Sequence, residues 1–382
     1  MVGVFGCFGS KCSNFSSTLE ETLDKSRGDV IHIVEDSCYT IGFQVHDSMK
    51  SGMYRSDKVV ITFISDSAKL DFQLIESSYL SNGFQGLSYS LLHTINADFA
   101  LVLFDLKRKR AFLMCDQTGI RKIFYTLVDG NLIYSSSLKH MISFLEKCGI
   151  LKDVARSINI HALKVYLAYG VTPINLTLIK GVYKLQMNQV IRFDVNVSKL
   201  SEITISIPIQ DFIENTEERL IKRTYELLQT SIKERIENYN GLLLSGGIDS
   251  GLIASILANL CQPYQNIAVN VYYGSYSELE KTRKISEYLK IKLIEVKIPL
   301  ESPEIYKLFD ESISFFDEPN ARGNFVGRYY ALRELHKYTN TAFLGEGGDE
   351  LFLGYWPSYW YWHHHPAIAL ASHPLIRDLA NI

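Results

Sequence analysis

The sequence predicts two domains in tandem, an α+β half built on antiparallel hairpins followed by an α/β half built on a parallel sheet. Three observations predict it. Apolar runs of strand length in the first half are joined by hairpin signals. Strand-like and helical runs alternate after Glu214. Two glycine-rich loops in that second half each follow an apolar run.

In the first half, "FALVLFD" (Phe99–Asp105) reads as a period-two strand that turns through the basic "LKRKR" into "AFLMCD" (Ala111–Asp116). "KIFYTLV" then meets "NLIYSSS" across Asp129-Gly130, a two-residue hairpin signal because that turn needs two left-handed residues. In the second half a helix is expected from about Glu214 to Glu237. Glu217 and Glu218 suit the positive end of its dipole, and Leu220, Leu227, Leu228 and Ile232 form an apolar stripe. The expected strands are "GLLL", Ile267–Tyr273, Lys292–Ile298 and Thr341–Gly345. Between them lie helices such as "SELEKTRKISEYL" and "SPEIYKLFDESI", the latter opened by Ser302 as N-cap and Pro303 at its first position. Strand–helix alternation of this kind builds a parallel sheet with helices on both faces. The boundary is softest between Asn196 and Asp211, so the domains are expected as 1–200 and 201–382.

Composition narrows the function classes. Apolar residues make up 47% and charged residues 21% of the 382, with a net charge of −3 and no basic block, so neither nucleic acid nor an anionic membrane is implied as a partner. Cys7, Cys12, Cys38, Cys115, Cys148 and Cys261 are scattered without CxxC pairs, which fits a reducing compartment and argues against a structural zinc or a disulfide framework. No stretch is apolar enough to span a bilayer, and no secretory leader pattern opens the chain. The expected setting is cytoplasmic.

In an open parallel sheet, ligands bind beyond the carboxyl ends of the strands. Two loops leave strands at that edge: "SGGIDS" (Ser245–Ser250) and "GEGGDE" (Gly345–Glu350). Ser245, Gly246 and Gly247 let backbone N–H groups approach an anion, and the helix that starts near Ser250 adds its positive end. There is no Gly-Lys-Ser/Thr, so this is not a loop for γ-phosphate transfer. Asp249 beside phosphates makes sense with a divalent cation between them, and Asp349 is the candidate second ligand; two carboxylates plus phosphate oxygens suit magnesium.

"LSGGIDSGLIA" resembles the pyrophosphate loop (PP-loop) of the ATP pyrophosphatases, which cleave ATP between the α and β phosphates. "FLGEGGDELFLGY" narrows the resemblance to the asparagine synthetase family. "AVNVYYGSYSELEKTRKISEYLKI" resembles the strand and helix that follow the adenine pocket there, and "YGVTPINLTLIKGVYKLQMNQVIRFD" the segment joining the two halves. "ADFALVLFDLKRKRAFLMCDQTGIRKIFYT" resembles the core of the family's N-terminal glutaminase domain. The resemblance implies an Ntn-like αββα domain followed by a PP-loop synthetase domain. It implies a ligase in which a carboxylate, aspartate above all, attacks the α-phosphate of ATP, pyrophosphate leaves, and an amine displaces AMP to form an amide. By motif, Ser245, Gly246, Gly247 and Ser250 would contact pyrophosphate, while Asp249 and Asp349 would hold Mg2+. Leu244, Val269, Leu344 and Gly345 would frame the adenosine. Glu346 would orient or deprotonate the amine, the alternative being a carboxylate satisfied by backbone donors at a helix N-terminus.

The chain departs from the family in two places. Glutaminases of the family begin Met-Cys-Gly-Ile-Phe-Gly, whereas this chain begins Met1-Val2-Gly3-Val4-Phe5-Gly6. A valine can neither attack an amide nor form a thioester, so glutamine hydrolysis is not expected. Cys7, inside the chain, reads as a small buried thiol. The Arg-Gly-Pro and Asn-Gly-Glu-Ile-Tyr-Asn glutamine-binding signatures are not recognisable, and Asp71 is the one weak match to the acidic residue that binds the glutamine α-amine. The family also continues through a helical region that supplies a lysine to the transition state, and nothing in Trp356–Ile382 matches it. Truncation, completion by a partner chain and an inactive site all remain open readings. His363, His364 and His365 are consecutive, so on a helix they cannot chelate together and read as a packing segment.

The expected partners are a small-molecule or peptide carboxylate and ammonia or another amine donor, with a homodimer and a partner chain that supplies the unmatched C-terminal region both left open as assemblies. Two further readings stand beside this one. Loss of the cysteine suits β-lactam synthetases or lasso-peptide cyclases, which close a ring with the substrate's own amine, although Glu346 leans back towards asparagine synthetase. The unmatched C-terminal region suits a non-catalytic nucleotide-binding protein.

Overall fold

The computed structural model describes residues 3–9, 16–22, 30–45, 50–65, 70–94, 97–152, 157–205, 216–273, 278–319, 325–352 and 354–355. Val2, Cys12, His363, His364 and His365 lie outside these, as do the rest of Trp356–Ile382 and part of the Asn196–Asp211 stretch. The chain divides into two compact units, one of Met1–Ile213 with Ile313–Gly323 and one of Glu214–Ser312 with Asn324–Ile382.

The first unit holds two six-stranded antiparallel sheets. One is made of β1 (Val4–Phe8), β2 (Val30–Asp36), β3 (Tyr39–Val45), β8 (Phe124–Val128), β9 (Asn131–Ser135) and β10 (Tyr183–Lys184). The other is made of β4 (Lys50–Arg55), β5 (Val59–Ser65), β6 (Phe99–Asp105), β7 (Arg110–Cys115), β11 (Gln189–Asp194) and β12 (Lys199–Thr204). Their orders are β10-β8-β9-β1-β3-β2 and β12-β11-β7-β6-β5-β4. Among the described residues four helices accompany them: α1 (Ser16–Thr22), α2 (Phe72–Thr94), α3 (Leu138–Lys147) and α4 (Ile160–Tyr169).

The side-chain period of two in a strand decides how these pieces stack. In β6, Ala100, Val102 and Phe104 point between the sheets to meet Val4, Phe8, Tyr39 and Ile41. Phe99, Leu101 and Leu103 point the other way, onto Ile75, Tyr79 and Leu87 of α2. The opposite sheet turns Phe5, Cys7 and Ile133 towards Leu19 of α1 and Met141 and Phe144 of α3. The result is four layers, helix–sheet–sheet–helix, with both faces of each sheet covered. That is why "FALVLF" is apolar at every position rather than alternating with polar residues. Asp129 and Gly130 both adopt positive φ, 48° and 76°, as their two-residue turn requires.

Asp116 explains the run "CDQTGIRKIFY". Its buried carboxylate accepts from the N–H groups of Thr118, Ile120 and Arg121 and from the Thr118 hydroxyl, winding the chain from β7 into β8. Asp71 is likewise accounted for locally: its Oδ1 accepts from the Leu74 N–H at 2.9 Å at the start of α2. Cys7 is buried as expected but is disulfide-bonded rather than a free thiol. Its partner lies outside the described residues. Spacing along the chain does not set spacing in space, so a scattered pattern can still contain a bridge.

The second unit holds a four-stranded parallel sheet ordered β15-β14-β13-β16, from β13 (Asn240–Leu243), β14 (Asn266–Tyr272), β15 (Lys292–Lys297) and β16 (Ala342–Phe343). With α5 (Glu217–Lys233), α6 (Ile248–Leu260), α7 (Leu279–Leu289), α8 (Glu304–Phe315), α9 (Phe325–Leu335) and α10 (Gly348–Phe352), it alternates as expected. Leu242, Leu244, Ala268 and Phe343 face α5, α6 and α7 through Ile232, Leu257 and Ile285. Val269, Ile267 and Val296 face Ala331 and Leu335 of α9 on the other side. Gly241 allows that second packing, because a Cβ there would lie 2.5 Å from Leu335 Cδ2. The Ser302 hydroxyl accepts from the Glu304 N–H at the start of α8, as its capping role predicts. The α5 stripe is only half used. Leu228 and Ile232 pack, whereas Leu220 and Leu227 are 48% and 53% exposed.

Candidate active site

The strand order places the candidate site. From β13 the sheet grows through β14 to β15 on one side, and then returns to add β16 on the other side of β13. The order therefore reverses between β13 and β16, and a parallel sheet opens its ligand crevice beyond the carboxyl ends of the strands at such a point. "SGGIDS" leaves β13 there and "GEGGDE" leaves β16, with Leu242 opposite Phe343 in register. The structure thus brings together two loops that are 100 residues apart in sequence.

The first loop is held in shape from within. The Ser245 and Ser250 hydroxyls are 2.9 Å apart in a hydrogen bond, and the Ser245 N–H donates to Ser250 Oγ at 3.2 Å. Ser250 Oγ in turn donates to the Gly247 carbonyl, closing a ring at the start of α6. Gly246 turns the chain with φ of +85°, and Gly347 does the same in the second loop with φ of +92°. An L residue at either position would be strained. Gly247 is the N-cap of α6 without a side-chain cap, so the first N–H groups of that helix remain available to an anion.

The two loops touch through Asp249. A Cβ built on Gly348 would lie 2.8–3.0 Å from the Asp249 carboxylate atoms, and one on Gly345 would lie 3.0 Å from Asp249 Cβ. Asp349 follows Gly348 directly, and its Oδ1 lies against Gly354. Among the described residues no three His, Cys, Asp or Glu side chains gather as a metal-binding group. Asp249 and Asp349, on adjoining loops, are the carboxylates that would hold a magnesium ion, a cation that keeps water and phosphate oxygens in most of its positions. The donor set is unlike that of zinc.

Leu244 and Val269 are each 1% exposed, with side chains in the core, so only their backbones can frame a ligand. Both are partly engaged: the Leu244 N–H donates to Val269 O at 3.0 Å, and Leu244 O accepts from Asn270 Nδ2 at 2.7 Å. Leu344 and Gly345 are half-buried at the root of the second loop, and Glu346 is exposed. Glu346 is paired with the Arg328 guanidinium of α9. Arg328 is held in place by its helix, in which Arg333 donates to Glu311 at 2.6 Å and stacks on Tyr330. Lys281, in the first turn of α7, also borders the first loop: its Cβ would lie 3.2 Å from a Cβ on Gly246. Neither Arg328 nor Lys281 was visible as a site residue in the sequence. Both belong to helices that reach the loops only through the folded sheet, and no local pattern marks them.

Two family models match the chain. Asparagine synthase covers residues 223–381, which include both loops, and a glutamine amidotransferase domain covers residues 77–202. Among curated proteins, a Methanocaldococcus jannaschii protein provisionally named glutamine-hydrolysing asparagine synthetase 2 is 25% identical over 70% of this chain and 52% of its own length. Glutamine-hydrolysing asparagine synthetase 1 of Bacillus subtilis is 26% identical over 63% of this chain and 37% of its own. The human glutamine-hydrolysing asparagine synthetase is 26% identical over 81% of this chain and 54% of its own. The chain spans about half or less of the length of these relatives. The chain thus carries an amidotransferase-domain match followed by an asparagine synthase-domain match, the latter including the two loops that meet at the sheet's switch point, and it is similar to glutamine-hydrolysing asparagine synthetases.

Proposed function

We propose that this protein is an ATP-dependent, amide-forming ligase of asparagine synthetase type. A carboxylate oxygen of the acceptor, aspartate in the first instance, attacks the α-phosphorus of ATP. The bond to the bridging oxygen breaks, and pyrophosphate leaves with that electron pair. Ammonia or another amine then attacks the acyl carbon, the bond to AMP breaks, and the amine proton passes to a base. The observation that carries this reading is the contact of the two loops, with the Asp249 carboxylate against Gly348 and the Ser245–Ser250 ring beside it.

Ser245, Gly246, Gly247 and Ser250 bind the β and γ phosphates through backbone N–H and hydroxyl groups. The backbones of Leu244, Val269, Leu344 and Gly345 frame the adenosine. Asp249 and Asp349 would hold magnesium, which when bound supplies positive charge to the leaving pyrophosphate. Glu346 takes the amine proton, and Arg328 holds its carboxylate oriented beforehand. The same reading places the protein in the cytoplasm. The free thiols Cys38, Cys115, Cys148 and Cys261 support that placement, and the bridge at Cys7 weighs against it.

Val2 favours a second reading at the first domain. With no thiol at that position the amine comes from solution or from the substrate itself, as in ring-closing relatives of the fold. Pyrophosphate release from magnesium and ATP tests both readings, run with aspartate alone, with aspartate plus ammonium, and with aspartate plus glutamine. Release with ammonium but not glutamine is the expected result. Equal release with glutamine would refute the reading of Val2, and ATP binding without release in any arm would refute aspartate as the acceptor.

A further inference from the structure

Pyrophosphate gains charge as it leaves, and the two loops are poorly equipped to meet it. Ser245–Ser250 and Gly345–Glu350 contain four carboxylates, Asp249, Glu346, Asp349 and Glu350, and no basic residue. Backbone N–H groups and a divalent cation meet part of the charge, so the remaining cations must come from neighbouring elements. The structure brings two of them to the loops. Arg328 is engaged with Glu346. The other is Lys281.

The geometry points to Lys281 as the residue that carries positive charge to the pyrophosphate, a role that rests on the ligase reading above. The first turn of α7 lies directly against the loop. A Cβ on Gly246 would be 3.2 Å from Lys281 Cβ, 3.2 Å from Thr282 Oγ1 and 3.3 Å from Glu278 O. The turn is fixed there by buried hydrogen bonds. Asn270 Nδ2 donates to Leu244 O at 2.7 Å, at the root of the loop, and to Thr282 Oγ1 at 3.3 Å. The Thr282 N–H donates to Glu278 O at 3.1 Å. The Lys281 stem therefore starts at a set position beside the loop. An extended lysine spans about 5 Å from Cβ to Nζ, enough to reach along the phosphate-facing side of the loop.

At present the ammonium pairs with Glu278 Oε1 at 2.8 Å, both side chains being more than half exposed, 66% and 56%. An exposed i,i+3 pair of this kind is weak and exchanges readily for a phosphate oxygen. Glu278 thus serves as a resting counter-ion. Lysine suits the role better than arginine would, because a point charge on a flexible stem can follow pyrophosphate as it departs.

The test is calorimetric binding of inorganic pyrophosphate with magnesium, and separately of AMP, to the wild-type chain and to K281Q, K281R and E278Q. The expected result is that K281Q weakens pyrophosphate binding about tenfold or more, as loss of one charge-assisted contact should. AMP binding stays as in the wild type, and K281R recovers most of the loss. E278Q separates this role from a structural one: if Lys281 acted only by pairing with Glu278 to hold α7, E278Q would weaken pyrophosphate binding as K281Q does. The expected outcome is equal or tighter binding. Unchanged pyrophosphate binding in K281Q, with clear binding in the wild type, would overturn the role of Lys281 and leave the ligase reading standing. Failure of the wild type to bind pyrophosphate or AMP would overturn both.

Discussion

Gly348→Ala should separate the stability of the second unit from its capacity to bind nucleotide. The added methyl would lie 2.8 Å from Asp249 Cγ and 2.9 and 3.0 Å from its two oxygens. Comfortable contact needs about 3.5 Å, so the carboxylate must move by roughly 0.5–1 Å. Asp249 is half-buried at the start of α6 and can swing outward, so the fold tolerates the change. Alanine at the first residue of α10 is a better helix former than glycine by up to about 1 kcal/mol, and the thermal midpoint should hold or rise slightly. A ligand site loses its function when a donor moves by about half an ångström, and displacing a metal-site group typically costs about 10–100-fold in affinity. Calorimetric titration of magnesium and ATP into G348A should therefore show that loss, alongside an unfolding midpoint no lower than wild type. Gly347→Ala is the control. It has open space around its Cβ but φ of +92°, so it should cost about 1–2 kcal/mol of stability without touching Asp249. Wild-type affinity in G348A would refute the placement of Asp249 in the nucleotide site.

Withdrawal of magnesium with a chelator should weaken ATP binding at least about tenfold while leaving AMP binding little changed, because the loop carboxylates then face the polyphosphate without a cation between them; titrations with and without chelator check this. In the first unit, buried Glu318 accepts from Lys184 Nζ and Thr172 Oγ1 at Oε1 and from Lys122 Nζ at Oε2, all at 2.8 Å. Glu318→Gln leaves buried Lys184 short of its counter-ion and should cost about 3 kcal/mol in urea unfolding. Burial alone would raise the pKa of Glu318, but the two ammonium groups and their hydrogen bonds outweigh it and hold the carboxyl below its usual value. A depressed folded value means the stabilisation is fully present above about pH 4.3, the unfolded value, and is lost as pH falls through the folded one. An acid titration of unfolding should show that loss in the wild type and a flatter acid limb in E318Q. Tyr39→Phe should be neutral or stabilising by up to about 1 kcal/mol in the same urea assay, because the buried Tyr39 hydroxyl has no hydrogen-bond partner among the described residues.

Features that depend on a few neighbouring residues were legible in the sequence. Asp129-Gly130 declares its turn because two consecutive left-handed residues are rare outside that geometry, and Ser302-Pro303 declares a helix start for an equally local reason. The two loops were legible as a pair because strand–helix alternation fixes which end of the sheet each leaves from. What failed to show depends on layers. "FALVLFD" reads as one strand, yet the sequence cannot say that a sheet lies on one side and α2 on the other. Leu220 and Leu227 fall on the α5 stripe but are exposed among the described residues, where the stripe packs through Leu228 and Ile232. Residues Ile313–Gly323 group with the first unit, where Asp317 accepts from the Ser137 hydroxyl at 2.8 Å and Glu318 meets its lysines. No shift in composition marks that return.

The charge balance of the site depends on the same distinction. Its anion-binding part is local: left-handed Gly246, the linked Ser245 and Ser250 hydroxyls and the open end of α6 are encoded within a few residues of each other. This part needs no ligand to take its shape, because Ser245, Gly247 and Ser250 already satisfy one another. The carboxylates are local too, and they make the bare loops unfavourable to a polyphosphate. The cations that reverse this come from α7 and α9, each delivered by tertiary packing: Lys281 through the buried Asn270–Thr282 contact, and Arg328 through a helix anchored by Arg333 on Glu311 and Tyr330. A loop that is preorganised for phosphate yet acidic can discriminate, accepting the polyphosphate with a metal and fixed cations around it and disfavouring the bare anion. On the proposed reading the motif marks where the nucleotide binds, and the packing of the two helices sets the charge it meets there.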